Sequence, residues 1–438
     1  MMFKRKIYEK MLLWKEENQG KTALMIEGAR RVGKSTIVSE FARREYESHI
    51  IVDFNKVSKE IKELFEDLTD LDYIFLRLQT YFRVTLNERK SLIVFDEVQQ
   101  CPLARQAIKY LVEDGRYDYI ETGSLISIKK NIQEITLPSE EDRLQMNPMD
   151  YEEFCWAIGD ESTVPNLRQF WEKKKSLGSA HRSIMRNFRL YMLVGGMPQV
   201  VNRFIETKNL QEVDKEKRRI IKLYIDDFRK LDASGKVERI FKSIPSQLSK
   251  NKSRYVPETS VGGNSMQELL SYLEDSKTVN VEYHCDDPNV GMNLTKDVGK
   301  YKLYIADTGL FVTLAFWDKD YVENVIYDKL LSDKLSANLG YIYENLVAQI
   351  LVSGGNELYY YTWKKDEKHY YEIDFLISEG NKVSPIEVKS SGYVAHASLD
   401  AFCRKYSDRI LHKYLVYTKD FQKDEDVVLV PAYMAQFI

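Results

Sequence analysis

The octapeptide Gly28–Ser35, with the sequence GARRVGKS, constrains the fold of this chain more than any other segment. It fits the pattern GxxxxGK[ST] at every fixed position. The apolar run Ala23–Glu27 comes directly before it, and a helical pattern over Thr36–Arg44 follows. Glycine lets the backbone turn its N–H groups inward, and the first turn of a helix attracts anions. The segment therefore predicts a strand–loop–helix unit that binds the phosphates of a nucleotide.

Two side chains of this loop have specific tasks in triphosphate binding. We expect the Lys34 ammonium group to contact the β- and γ-phosphates and the Ser35 hydroxyl to take one position around Mg²⁺. Arg30 and Arg31 either add positive charge or are simply solvated. The alternative for the whole segment is a glycine-rich turn that merely precedes a helix. The predicted nucleotide-binding residues are Gly28, Ala29, Arg30, Arg31, Val32, Gly33, Lys34, Ser35 and Thr36.

A second signal, Ser91–Glu97, is an apolar strand that ends in two carboxylates. In open parallel sheets the carboxyl ends of the strands face the crevice where ligands bind. We expect Asp96 to hold Mg²⁺ together with Ser35, and Glu97 to orient and deprotonate the attacking water. An ordinary acidic turn is the alternative, and the better one for such a strand in isolation. Downstream of a phosphate-binding loop, the pair predicts hydrolysis of the bound triphosphate.

Two further residues are candidates for catalytic roles beside Lys34 and Glu97. Thr122, with Ser124 close behind it, follows an apolar run at a position where a hydroxyl senses the γ-phosphate, and a simple polar turn is the alternative. Arg143 is the candidate arginine finger, the cation that neutralises charge on the transferred phosphoryl group. The alternative for Arg143 is an ordinary surface arginine.

Patterning along the chain predicts four segments. Residues 1–147 alternate short apolar strands with helices, which indicates an α/β fold with a parallel sheet covered on both faces. Residues 148–234 predict a charged helical lid. Residues 235–335 combine helices with a hairpin, which favours a winged-helix-like unit, and a helical connector with an isolated hairpin is the alternative. Residues 336–438 predict a second α/β domain. The predicted strands of the first segment are Ala23–Glu27, Ile50–Phe54, Leu92–Phe95 and Tyr119–Glu121.

The last segment carries a second group of charged residues. Strands are predicted over Tyr370–Ile377 and Ser384–Val388. Alternate residues of a strand share a face, so pairing of these strands brings Asp374, Glu387 and Lys389 together, and Glu344 on the preceding helix can join them. Carboxylates suit a second Mg²⁺ or Mn²⁺ ion, which polarises a scissile phosphate, with Lys389 near the nucleophile. This constellation predicts a restriction-endonuclease-like fold of the PD-(D/E)XK type. The alternative is two amphipathic strands whose outer faces are solvated.

Composition limits the class of partner and the compartment. The 64 basic and 67 acidic residues give a formal net charge of −3, which excludes a global polycation but leaves a local DNA-binding groove open. The four cysteines form no CxxC pair, so neither a disulfide framework nor a zinc knuckle is expected. No apolar run reaches the roughly 18 residues that a membrane span needs. We expect a soluble, cytoplasmic protein.

Seven motifs and the Gly195–Pro198 segment carry a resemblance that spans nearly the whole chain. The motifs are IEGARRVGKST, LIVFDEVQQ, ETGS, DRLQMNPMDYEEF, YKLYIADTGLF, EIDFLI and PIEVKSS. Together they resemble a prokaryotic family of AAA-type P-loop ATPases whose C-terminal domain of unknown function ends in a nuclease-like fold. The resemblance implies ATP as the nucleotide and a winged-helix-like middle unit. At Asp142 the chain departs from its relatives, which have glycine before the arginine, and this weakens the finger role of Arg143.

Three functions are compatible with these patterns. The first is a Mg²⁺-dependent ATPase with a DNA-directed C-terminal half. The second adds nuclease activity that ATP controls. The third is a slow ATP-dependent switch that binds a protein partner and has a catalytically silent C-terminal domain. An oligomer is compatible with each.

Overall fold

The computed structural model describes residues 2–123, 139–250, 254–256, 263–318, 325–332, 339–390, 396–424 and 426–438. The chain divides into two compact units. The first consists of residues 1–147 with residues 275–277, and the second of residues 148–274 and 278–438. The phosphate-binding loop belongs to the first unit, and the C-terminal group of charged residues belongs to the second.

The first unit is built on a parallel five-stranded sheet with the strand order β2-β3-β4-β1-β5. Four of the strands coincide with the predicted apolar runs to within two residues, which confirms the predicted α/β sheet. The fifth strand was not predicted, because its sequence EDRLQ is polar and it lies, largely exposed, at the sheet edge. The strands are β1 (Ala23–Glu27), β2 (Ser48–Asp53), β3 (Ser91–Asp96), β4 (Asp118–Gly123) and β5 (Glu141–Gln145).

Helices cover both faces of this sheet, and two apolar cores result. Leu24 and Met25 are neighbours in β1, yet each packs into a different core, as expected for a strand that is buried on both faces. Helices α1 and α2 contribute to the Leu24 core, whereas α3, α4 and α5 contribute to the Met25 core. The helices are α1 (Ile7–Asn18), α2 (Lys34–Glu45), α3 (Lys59–Glu63), α4 (Leu71–Phe82) and α5 (Pro102–Asp114).

The second unit contains an eight-stranded mixed sheet with the order β12-β13-β11-β10-β9-β8-β6-β7. The hairpin expected in the middle segment is present, but β6 also pairs in parallel with β8. One sheet therefore runs across the predicted boundary after residue 335. The strands are β6 (Val279–Cys285), β7 (Lys296–Ile305), β8 (Leu358–Lys364), β9 (Tyr370–Glu379), β10 (Lys382–Val388), β11 (Lys413–Tyr417), β12 (Gln422–Asp424) and β13 (Val427–Pro431).

The remainder of the second unit is largely helical, as predicted for the segment that follows residue 147. No described helix is both long enough and apolar enough to cross a membrane. The helices are α6 (Tyr151–Ala157), α7 (Thr163–Glu172), α8 (His181–Val194), α9 (Pro198–Thr207), α10 (Leu210–Leu231), α11 (Lys236–Ser249), α12 (Gly263–Asp275), α13 (Thr308–Ala315), α14 (Val325–Leu331), α15 (Gly340–Ser353) and α16 (Ala397–Lys405). Helix α15 packs against β7 and β10, and α16 packs against β9 and β10.

Candidate nucleotide site and acidic pocket

The loop between β1 and α2 has the backbone that its glycines predict. Gly28 and Gly33 adopt positive φ angles of 157° and 105°. A Cβ atom on Gly28 would lie 2.3 Å from the carbonyl oxygen of Met146, so no larger residue fits there. Within the loop Ala29 and Val32 are buried, whereas the predicted ligands Arg30, Arg31 and Thr36 are exposed. The two buried residues anchor the loop.

The Lys34 ammonium group folds back onto this loop. Its Nζ atom donates to the carbonyl oxygens of Gly28 and Ala29 at 2.8 and 3.1 Å. Burial lowers the pKa of Lys34, and the nearby Glu97 and Asp96 carboxylates act in the opposite direction. A buried ammonium group whose acceptors are neutral carbonyls gains by exchanging them for an anionic phosphate.

Asp96 lies at the end of β3, where hydroxyl groups reach it from two sides. Ser35 Oγ donates to Asp96 Oδ1 at 2.8 Å, and the Thr122 hydroxyl donates to the same oxygen. Thr122 Oγ1 also accepts the backbone N–H of Glu97 at 3.1 Å. Thr122, predicted as a phosphate sensor, is thus hydrogen-bonded to both acidic residues in this structure. Ser124 lies outside the described residues.

Two residues that the sequence analysis missed support this site. Gln99 donates through Nε2 to Glu97 Oε2 at 2.5 Å and orients the predicted base. Arg5 is 6% exposed, and its Nη1 donates to the carbonyl oxygen of loop residue Val32 at 3.1 Å. Neither has a spacing signal of its own, although Gln99 lies inside the LIVFDEVQQ motif.

The oxygen atoms beside the loop fit a hard cation. A Ser35 hydroxyl and an Asp96 carboxylate that are already in contact are the ligand types that Mg²⁺ prefers, and Lys34 contacts the neighbouring loop. The structure therefore brings together five predicted residues from three separate segments of the sequence. They are Lys34, Ser35, Asp96, Glu97 and Thr122.

Arg143 pairs with carboxylates other than Asp96 and Glu97. It lies on edge strand β5, where its Nε donates to Glu141 Oε1 at 2.8 Å and its Nη1 is 3.4 Å from Glu27 Oε1. Its side chain is 46% exposed. Within the described part of the chain, these are its ion-pair partners, and neither is a phosphate-binding residue. In this structure Arg143 therefore belongs to an ion-pair network, and its role as an arginine finger stays a prediction.

In the second unit a β-bulge positions Asp374. Between the pairs Tyr359–Leu376 and Tyr361–Ile373, one residue of β8 lies opposite two residues of β9. As a result Ile373 and Leu376 pack into the same core, which strict alternation would forbid. Asp374 lies inside this bulge and accepts the backbone N–H of Val388 through Oδ2 at 2.7 Å.

The other predicted residues gather around Asp374 in a partly buried cluster, which we call the acidic pocket. Lys389 Nζ lies 2.5 Å from Glu387 Oε1. Burial, followed by the charge of Glu344 and with a smaller contribution from Glu387, raises the pKa of Asp374 to about 8. The four residues expected near a nuclease-like site are therefore close together.

Four residues outside that prediction complete the acidic pocket. Lys302 Nζ lies 2.6 Å from Glu372 Oε1 and 3.1 Å from Glu344 Oε1. The Tyr304 hydroxyl lies 2.7 Å from Glu344 Oε1 and 2.9 Å from Glu282 Oε2. Glu282, Lys302 and Tyr304 come from the β6–β7 hairpin, far from the motif in sequence, which is why spacing could not reveal them.

Among the described residues, one group of three side chains is close enough to share a metal ion. It consists of His284, Asp286 and Asp297, whose candidate ligand atoms all lie within 4.8 Å of one another. His284 Nε2 lies 3.2 Å from the backbone nitrogen of Thr362, whose N–H it accepts, and Asp297 pairs with Lys300 at 2.9 Å. Lys300 thus neutralises part of the negative charge of this group. The carboxylates of the acidic pocket are spaced more widely.

Three family models match separate parts of the chain. Residues 20–155 match an AAA domain, residues 185–321 match a domain of unknown function, DUF8612, and residues 339–434 match another, DUF4143. The first match supports an AAA-type P-loop domain in the first unit, in agreement with the resemblance and with the observed loop. No curated protein matches the chain.

Among solved structures, the chain is similar to the Walker-type ATPase PABY2304 of Pyrococcus abyssi, with 16% identity and a TM-score of 0.44 over 72% of this chain and 96% of that one. It is also similar to a signal transduction ATPase with numerous domains and a tetratricopeptide repeat sensor, PH0952 from Pyrococcus horikoshii. That similarity has 10% identity and a TM-score of 0.29 over 80% of this chain and 48% of that one.

Proposed function

We propose that the first unit binds ATP with Mg²⁺ and hydrolyses it. The observation that carries this proposal is the hydrogen-bonded group of Ser35, Asp96, Thr122 and Glu97 beside the loop that holds Lys34. The match of residues 20–155 to an AAA domain supports the same nucleotide chemistry.

Each residue of the group has a defined task in this reaction. Lys34 exchanges its two carbonyl acceptors for phosphate oxygens, while backbone N–H groups of the loop bind the remaining phosphate charge. Ser35 and Asp96 would hold Mg²⁺, which neutralises charge on the phosphates when it is bound. Glu97 orients the attacking water and accepts its proton, with Gln99 fixing the carboxylate.

The test is phosphate release from ATP by the full chain. Glu97→Gln keeps the shape of the side chain but removes the base, so ATP should still bind while turnover falls by roughly a hundredfold or more. Glu66→Gln, at an exposed position of the same unit, should behave like the parent protein. Full turnover in the Glu97→Gln variant would remove the hydrolytic role that we assign to this residue.

As a second function we propose metal-dependent DNA cleavage by the acidic pocket under the control of ATP. The supporting observation is the clustering of Asp374, Glu387, Lys389 and Glu344, in a domain whose family match carries no function. The carboxylates of Asp374, Glu387 and Glu344 would hold a second Mg²⁺ or Mn²⁺ ion, which would polarise the scissile phosphate.

Incubation with linear and plasmid DNA, with Mg²⁺ or Mn²⁺ and with or without ATP, tests this function. Asp374→Asn and Lys389→Ala should abolish any cleavage, whereas Lys423→Ala, an exposed lysine of the same sheet, should not. If the parent protein leaves DNA intact, the remaining proposal is the slow switch that binds a protein partner. DNA affinity that falls steeply with salt would favour a DNA-bound ATPase over that switch.

A further inference from the structure

Lys302 is the most deeply buried lysine of the acidic pocket. Only 3% of it is exposed, and its Nζ contacts Glu372 and Glu344 while lying 5.2 Å from the centre of the Tyr360 ring. Lysine is rarely buried to this degree unless carboxylates neutralise it, and the two ion pairs do so here. The ammonium group thus lies between two carboxylates.

Acidic groups still outnumber basic groups in the pocket. It contains Glu282, Glu344, Glu372, Asp374 and Glu387, but its described cations are only Lys302 and Lys389. Two of its buried carboxyl oxygens, Glu387 Oε2 and Glu282 Oε1, have no hydrogen-bond partner. Glu387 is 5% exposed, so water does not readily satisfy its free oxygen. A built pocket with an unsatisfied acceptor beside Asp374 is therefore suited to a further cation.

We propose that Lys302 is a built-in counter-ion that occupies one cation position of the acidic pocket, so that a divalent cation competes with its ammonium group for Glu344 and Glu372. This inference shares one premise with the second proposed function, namely that the carboxylates of the acidic pocket bind a divalent cation. It does not require that the pocket cleaves DNA. It makes Lys302 a residue that sets metal affinity, contributed by strand β7 from outside the matched C-terminal domain at residues 339–434.

Mn²⁺ binding to the nucleotide-free full chain, followed by the loss of the free Mn²⁺ signal in electron paramagnetic resonance, tests this inference. Lys302→Met removes the charge and keeps the bulk, so Mn²⁺ should bind roughly tenfold tighter or more, because a like charge has left a buried site. Lys302→Arg retains the charge and should bind within about threefold of the parent protein. Lys423→Met, at the exposed position on β12, is the matched control.

A second variant gives a change of opposite sign. Glu372→Gln removes one carboxylate and leaves Glu344 as the remaining ion-pair partner of Lys302 of the two. Mn²⁺ binding should therefore weaken several-fold. The double variant Lys302→Met/Glu372→Gln restores the net charge of the pocket and should return towards the parent affinity. If Lys302→Met does not fold, the Glu372→Gln and Lys302→Arg measurements decide the question.

The inference is overturned if Lys302→Met binds Mn²⁺ no more tightly than the parent, if Glu372→Gln binds it no more weakly, or if no variant binds Mn²⁺ at all. These outcomes are separate from the fate of the proposed functions. DNA cleavage can be absent while the affinities still shift as expected, and ATP turnover at the first unit is measured independently.

Discussion

The two charged sites both place carboxylates near the ends of buried strands, yet they neutralise them differently. In the first unit, Asp96 accepts hydrogen bonds from the hydroxyl groups of Ser35 and Thr122. In the second unit, Glu372 and Glu387 are in contact with the ammonium groups of Lys302 and Lys389. In the first site neutral hydroxyl donors orient the carboxylate and leave its charge in place. In the second site lysine side chains neutralise much of the negative charge.

This difference explains how each site is prepared for a ligand. A carboxylate that is oriented by hydroxyl groups keeps its charge for an incoming cation, and its donors stay in place. A carboxylate that is paired with lysine has to exchange one cation for another, which costs the pairing energy of a buried ion pair. We therefore expect the nucleotide site to accept Mg²⁺ with its nucleotide readily, and the acidic pocket to bind metal weakly.

The largest expected effect concerns the nucleotide site alone. Lys34→Ala removes the charged donor to the phosphates, so ATP affinity should fall by roughly a hundredfold, as measured by titration calorimetry. Lys56→Ala, whose side chain is 83% exposed in the same unit, should bind ATP normally. If Lys34→Ala bound ATP as tightly as the parent protein does, Lys34 would not be a phosphate ligand, and the comparison of the two sites would no longer hold.

Local motifs made the nucleotide site predictable. The loop residues are consecutive, and β3, which ends at Asp96 directly before Glu97, is a buried and largely apolar strand. Both could therefore be placed before their contacts were known. What could not be predicted is Arg5, because its contact with Val32 depends on tertiary packing and has no sequence signature. The polar strand β5 was missed for a related reason, since an exposed edge strand has no apolar pattern.

The acidic pocket was predictable only in part. Alternation placed Asp374, Glu387 and Lys389 together, but it treated β9 as regular, and the bulge that positions Asp374 was not foreseen. Lys302 could not be linked to the pocket, because the parallel pairing of β6 with β8 joins segments that the pattern assigned to separate domains. Non-local strand pairing is the information that a single sequence does not contain.

A smaller effect sharpens the description of the nucleotide site. Thr122→Val is nearly isosteric and removes both hydrogen bonds that link Asp96 to the Glu97 backbone. We expect kcat for ATP hydrolysis to fall roughly tenfold with little change in KM, since orientation is lost but the phosphate ligands remain. Thr80→Val, on the exposed face of α4, is the control. An unchanged kcat would mean that neutral donors do not organise the acidic pair.

Arg143 provides a test with a still smaller expected effect. Because its guanidinium group is paired with Glu141 and Glu27, Arg143→Ala should change kcat of the isolated chain by no more than about threefold. Steady-state hydrolysis at low protein concentration measures this. A loss that approaches the effect of Glu97→Gln would instead establish Arg143 as the arginine finger.

The smallest expected effect is a pH dependence of protein stability that comes from Glu282 in the acidic pocket. Burial raises the pKa of Glu282 well above its usual value. The nearby charge of Lys302 lowers this pKa, whereas the charge of Glu344 raises it. Glu372 also raises this pKa, while the Tyr304 hydroxyl donates to the carboxyl group. The folded protein therefore keeps a proton on Glu282 that the unfolded chain releases as the pH rises above the usual value for glutamate.

Stability should consequently be lost as pH rises through this window, because the folded state binds the additional proton. Glu282→Gln cannot ionise, so it should unfold close to the parent at pH 4.5 and a few degrees higher at pH 8, in thermal melts with EDTA. Glu367→Gln, at an exposed position, should follow the parent at both pH values. A difference that is constant with pH would show that Glu282 is ionised in the fold, and the acidic pocket would then hold more uncompensated charge than its lysine partners suggest.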